Sequence, residues 1–147
     1  MSAAEYLKYG LIRALVNTSL YVRRSAYLSP NTQPNFTKSY PCRPSLFPCR
    51  VFLPSESKSN HGKFPLVIRV HGGGFLVNNP AADDPIARHL ADNAQCIVVS
   101  IDYSKAPQNR FPIAYEDVIA QVLAVIQDDD LPVVLGSVVL CGRSCLR

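Results

Sequence analysis

No Cys-x-x-Cys pair occurs among the five cysteines of this chain, and five is an odd count. Both facts argue against a zinc site and against a complete disulfide framework. Cys96 and Cys141 lie in apolar runs, where a free thiol is expected to pack as a small core residue. No apolar stretch reaches the ~20 residues that a membrane-spanning helix needs. The N-terminal residues carry Glu5 and Lys8, and the stretch from Leu11 to Val16 is broken by Arg13, so no secretory leader is read there and a cytoplasmic location is expected. On that reading the two sequons, Asn17-Thr18-Ser19 and Asn35-Phe36-Thr37, are chance matches. Charge of one sign is not concentrated: the net +4 is spread over the chain, which argues against a nucleic-acid partner. Internal repeats and low-complexity segments are absent as well.

What remains is a chain of 147 residues that is 48% hydrophobic, enough for one domain with a real core and too little for two. Residues 4 to 16 have helical spacing, with Leu7, Leu11 and Leu15 on one face and Ile12 and Val16 beside it. Packing of that face on the domain is the favoured reading over an interfacial or substrate-covering helix, because the polar face is sparse in charge. Five prolines between residues 29 and 48 predict loop with at most short edge strands. Arg50 to Leu53 reads as a strand. Leu66 to Val70 and Cys96 to Ile101 are apolar, β-branched runs suited to strands buried on both faces of a parallel sheet, and Ser137 to Cys141 is a third. Between them, Asp84-Pro85 reads as an N-cap followed by proline at the first helical position, opening a helix to about Asn93. The stretch from Ile113 to Gln127 carries Val118, Val122, Val125 and Ile126 at helical spacing, widened by Ile119 and Leu123. Asp128, Asp129 and Asp130 would oppose the dipole at that helix's end, so they are expected in a solvated exit loop. Strand, helix, strand, helix, strand implies an α/β fold with a mostly parallel sheet.

The first of those strands runs straight into His71, Gly72, Gly73, Gly74 and Phe75. Three consecutive glycines remove every Cβ from a turn at the C-terminal end of a strand, so the backbone can take positive φ and approach a ligand closely. Ligands of open α/β sheets bind at that end. Backbone donors aimed at one point suit an oxyanion that develops during acyl transfer. A dinucleotide fingerprint would need Gly-x-Gly-x-x-Gly opening directly into a helix, whereas these glycines are contiguous and a loop from Phe75 to Pro80 follows them.

His71-Gly72-Gly73-Gly74-Phe75, then Asp102-Tyr103-Ser104-Lys105-Ala106-Pro107, then Arg110-Phe111-Pro112 with Glu116-Asp117 following, resemble the N-terminal half of α/β-hydrolases of the hormone-sensitive-lipase and arylacetamide-deacetylase group, with a fungal flavour in Ser-Lys-Ala-Pro. The resemblance covers roughly residues 36 to 144. It implies a truncated α/β-hydrolase domain over residues 36–147, preceded by a cap-like helical segment over residues 1–35. It further implies hydrolysis of small carboxylic esters by a Ser–His–Asp (or Glu) triad without a cofactor or metal. Gly73 and Gly74 match the positions whose N–H groups form the oxyanion hole. His71 matches a residue that shapes the loop and is not the catalytic base. Asp102, Tyr103 and Pro107 are assigned to holding the neighbouring loop.

The family's nucleophile elbow reads Gly-x-Ser-x-Gly. Here the third strand is followed by Gly142-Arg143-Ser144-Cys145-Leu146-Arg147. Gly142 and Ser144 match, which makes Ser144 the nucleophile position. Cys145 stands where an N–H would complete the oxyanion hole, and Leu146 stands where the second glycine belongs. His61, His71 and His89 all precede Ser144, whereas the acid and base of this fold follow the serine in chain order. The expectation is therefore a truncated or misread gene product, poorly soluble through a bare apolar sheet edge and without esterase turnover. The competing expectation is a non-catalytic module that binds acyl or aromatic ligands or a partner.

Overall fold

The computed structural model describes residues 2–25, 32–42, 46–55 and 62–142. The two apolar runs form its centre. β3 (Phe64–Val70) lies parallel to β4 (Ile97–Ile101), with Leu66 opposite Ile97 and Val70 opposite Ile101. Every residue of β4 is buried, as a strand covered on both faces requires. β2 (Cys49–Phe52) runs antiparallel on the far side of β4, and the short β1 (Phe36–Lys38) closes that edge in the proline-rich region. β5 (Val133–Gly142) pairs in parallel with β3, giving the order β1-β2-β4-β3-β5.

Side-chain alternation sorts the sheet into two cores. Leu66, Ile68, Ile97, Val99 and Ile101 face one way and meet Val125, Val122 and Val118 of α3 (Ile113–Ile126). Val98 and Phe52 face the other way and meet Ala87 and Ala91 of α2 (Asp84–Ala94). Each fully buried aliphatic side chain contributes about 1.5–3 kcal/mol. The arginine inside the β3 run is accounted for by its partner: Arg69 Nη2 donates to Asp83 Oδ2 at 3.0 Å, both side chains being buried.

The entry to α2 differs from the sequence expectation. A 3₁₀ turn, Pro80–Asp83, precedes the helix, capped by Asn79, whose Oδ1 accepts from Ala81 N. Asp83 holds the N-cap position and Asp84 is the first helical residue. Asp84 does not cap because its carboxylate, 0% exposed, takes the fork of Arg50 at 2.7 and 2.6 Å. A bidentate arginine pair outcompetes a single backbone donor.

Four further expectations are corrected. α1 (Ala3–Ser25) is longer than its apolar spacing indicated, and Leu7, Leu11 and Leu15 are 67%, 59% and 71% exposed rather than packed on the domain. Its inward side carries the half-buried Gly10, Arg13 and Asn17, because polar bonds rather than apolar burial hold it: Arg13 Nη1 donates to Gln108 Oε1, and Asn17 Oδ1 accepts from Asn78 N. On α3, Ile119 and Leu123 face outward, while Asp117 and Gln121 are buried to hold the loop beyond β4. Asp128 is not in a solvated loop. It accepts from Lys38 Nζ and Tyr40 Oη, both at 2.7 Å, and those bonds outweigh burial and hold its carboxyl below the ordinary range. Cys96 is buried as expected, whereas Cys141 is only half-buried, because β5 has no neighbour beyond it among the described residues.

Among the described residues β5 forms an edge of the sheet. It carries no charge and no proline along its length, the devices by which natural edges resist pairing. Val139 and Leu140 are 56% and 57% exposed. Leu140→Lys is therefore expected to reduce self-association in light scattering while shifting the unfolding free energy by no more than about 0.5 kcal/mol. Unchanged association would exclude this edge as the sticky surface.

Candidate active site

The glycine turn begins where β3 ends. His71 and Gly72 are buried, Gly73 is half-buried and Gly74 is exposed, so the chain climbs from the core to the surface within four residues. Gly73 has φ +144°, and a Cβ there would sit 2.1 Å from the Val77 carbonyl oxygen. Gly74 has φ +58° in open space, and Phe75 and Asn78 also take positive φ, 58° and 80°. The amides of Leu76 and Val77 fold back onto Gly73 O at 3.0 and 3.1 Å. The amides of Gly73, Gly74 and Phe75 donate to no other described residue. Three successive donors without an acceptor among the described residues, on a turn partly open to solvent, are suited to receive an external anion.

A turn with four left-handed residues persists only if its surroundings over-determine it. The supports come from the loop after β4. His71 Nε2 lies 2.9 Å from Asp102 Oδ1, and its Nδ1 lies 3.0 Å from Gly72 O. The ring stacks on Tyr103 at 4.2 Å, and Tyr103 Oη donates to His71 O at 3.1 Å. Phe75 meets the same tyrosine edge-on at 5.2 Å. Ala106 N donates to Phe75 O at 2.8 Å, fixing the far end of the turn. The structure places His71, Asp102 and Tyr103, three of the residues assigned to this loop from the sequence, in contact with one another, and Pro107 makes no hydrogen bond among the described residues.

Asp102 is 2% exposed. Burial pushes its carboxyl upward, but hydrogen bonds from His71 and Lys105 outweigh burial and hold it below the ordinary carboxylate range. Phe47 N also donates to its Oδ2, and the Gln121 side chain donates to its carbonyl. Nearby, burial pushes the Cys49 thiol up to about 12, which leaves it protonated and unreactive at neutral pH.

Several of these residues carried no role in the sequence reading. Lys105 donates to Asp102 Oδ1 at 2.6 Å and to Tyr103 O at 2.9 Å. Asn78 Nδ2 donates to Gly72 O, while its amide binds Asn17 of α1, so the helix is tied to the turn by one residue. A carboxylate followed three residues later by lysine at a buried strand exit was a readable signal for Lys105; nothing local marked Asn78 or Asn17. Ser144, Cys145 and His61 lie outside the described residues. The strand leading to Ser144 is described, and Gly142 pairs with Val70 one residue before His71, so β3 and β5 leave the sheet side by side. His89 sits on α2 and bonds Asn93. Among the described residues no cluster of His, Cys, Asp or Glu could hold a metal ion, and no helix is long and apolar enough to cross a membrane.

Comparison with known proteins gives the arrangement its context. The family model for the α/β-hydrolase fold matches residues 67–145, more than half of the chain. Over 70 residues the chain is 40% identical to carboxylesterase NlhH of Mycobacterium tuberculosis, a match covering 48% of this chain and 21% of that protein. It is 39% identical over 70 residues to probable carboxylesterase 11 of Arabidopsis thaliana, covering 46% and 15%. Among solved structures, the thermostable carboxylesterase EstE1 from a metagenomic library superposes with a TM-score of 0.76 at 28% identity, over 92% of this chain and 45% of that one. The hyperthermophilic esterase of Pyrobaculum calidifontis does so with a TM-score of 0.74 at 27% identity, over 92% and 43%. The chain thus spans under half the length of these structures and about a fifth or less of the curated relatives. Because the family model spans more than half of it, the chain belongs to the α/β-hydrolase family, in its hormone-sensitive-lipase and carboxylesterase group.

Proposed function

We propose that this chain carries the oxyanion-binding half of a carboxylic-ester hydrolase site. The amides of Gly73 and Gly74 are the donors, the Cys145 amide is the third, and Ser144 occupies the nucleophile position. The observation that supports this most directly is the set of amides at the end of β3 that have no acceptor among the described residues, next to the strand that leads to Ser144. In acyl transfer such donors stabilise the charge that develops on the carbonyl oxygen, a contribution of roughly 3–4 kcal/mol per donor. The nucleophile itself needs a base within hydrogen-bond reach. His71 is committed to Asp102 and Gly72, His89 is on α2, and His61, like both of them, precedes Ser144 in the chain, whereas the base of this fold follows the serine. For these 147 residues by themselves the reading is therefore an anion-binding cradle without turnover.

Two measurements test it. Hydrolysis of a short-chain aryl ester is expected to stay at the buffer rate; turnover abolished by Ser144→Ala would show a working triad and overturn the inactive reading. Titration with an aryl phosphonate is expected to move the amide resonances of Gly73 and Gly74. If those resonances stay fixed while others shift, the cradle is not where the anion binds.

A further inference from the structure

Lys105 is 7% exposed, an unusual place for an ammonium unless it is paired. Its Nζ makes two hydrogen bonds, to Asp102 Oδ1 and Tyr103 O, and sits 5.1 Å from the centre of the Tyr103 ring. Those are the two residues that orient His71, one through its Nε2 and the other by stacking. His71 in turn contacts the Gly72 carbonyl. On the other side, the residue after Lys105 donates its amide to Phe75 O. Lys105 thus stands between both attachments of the glycine turn: its side chain reaches the entry through Asp102, His71 and Gly72, and its chain neighbour Ala106 holds the exit at Phe75.

We propose that Lys105 is a positioning residue for the oxyanion cradle: its buried ammonium clamps Asp102 to Tyr103, and that clamp fixes the direction in which the amides of residues 73–75 are presented. The inference rests on the reading of the turn as an oxyanion cradle. A neutral side chain of similar length would fill the space without performing this role. Asp102 would then keep His71 and the Phe47 amide as partners but lose the fixed positive charge. The other groups around it do not replace that charge. Cys49 of β2 is neutral, Gln121 of α3 bonds the Asp102 backbone, and Asp117 of α3 is itself acidic and bound to the Ser104 amide. Arg13 of α1 lines the same cavity of about 420 Å³ but bonds Gln108.

The test compares Lys105→Met with Lys105→Arg in the full chain. The Asp102 carboxyl resonance, followed by carbon NMR against pH, is expected to titrate at higher pH in Lys105→Met and to stay low in Lys105→Arg. Exchange of the Leu76, Val77 and Ala106 amides, which hold the turn closed, is expected to rise about tenfold in Lys105→Met while the amides of β4 are unchanged. An unmoved Asp102 titration, or exchange that rises equally in β4, would reduce Lys105 to a packing residue and overturn the proposal. Should Lys105→Met fail to fold, the unaltered chain decides: the Nζ protons are expected to be protected from solvent exchange, and free exchange would sink the clamp. None of these readouts needs a substrate, so they can fail while phosphonate binding succeeds, and the reverse.

Discussion

Gly73→Ala is expected to destabilise the chain by about 2–4 kcal/mol, whereas Gly74→Ala, one residue on, is expected to cost only about 1 kcal/mol. The two glycines look alike in sequence and differ in what surrounds them. At Gly73 an added methyl would overlap the Val77 carbonyl, and that oxygen belongs to the backbone of the same turn, so it cannot step aside without opening the turn. At Gly74 the methyl meets nothing, and only the left-handed φ of +58° opposes it. Chemical denaturation of both variants measures the difference. Equal losses would mean that conformational preference, not the close approach at Val77, sets the requirement for glycine. In Gly73→Ala the phosphonate-induced shifts at residues 73 and 74 should also vanish, because the amides can no longer share one direction.

Asp102→Asn is expected to cost about 3–5 kcal/mol at pH 7, the cost of breaking a buried ion pair by neutralising one partner. The shape is nearly conserved, but the Lys105 ammonium is left buried without a counter-charge, and an amide nitrogen in the place of Oδ2 cannot accept from Phe47 N as the carboxylate does. The pH dependence has a definite sign. The folded carboxyl titrates below its ordinary 3.8, so the ionised form is the one that folding stabilises. Its contribution is fully present above about 3.8 and fades as pH falls through the lower folded value. The gap between the parent and Asp102→Asn should therefore be constant at pH values well above 3.8 and narrow as the pH falls below it. Urea titrations at three pH values would read it. A gap that widened on acidification would mean that Asp102 is protonated in the native state.

How much of this was legible in the sequence depended on whether the determining contact was local. β3, β4 and α2 were readable because β-branched runs and a proline-marked helix start encode themselves within a few residues. The glycine turn was readable because three consecutive glycines mark a backbone free to take positive φ, whereas the positive φ of Phe75 and Asn78 in the same turn carried no such mark. Contacts that cross the chain were not. The exposure of Leu7, Leu11 and Leu15 turned on Asn17 meeting Asn78, sixty-one positions away, which no spacing rule encodes. Asp128 looked like a solvated acid because Lys38 and Tyr40, its partners, lie in the proline-rich stretch that reads as plain loop. Lys105 was visible within a recognisable motif, but only the buried carboxylate beside it shows why a cation stands there.

The pairing of β3 with β5 slips between Phe64–Val133 and Leu66–Val138: two steps along one strand match five along the other. That surplus of backbone works as a length buffer. Residues gained or lost within 134–137 can be taken up there, so the stretch from Val138 to Gly142 keeps its alignment with β3 whatever happens upstream. The end of β5 at Gly142 is in this way mechanically insulated from the loop at residues 127–132.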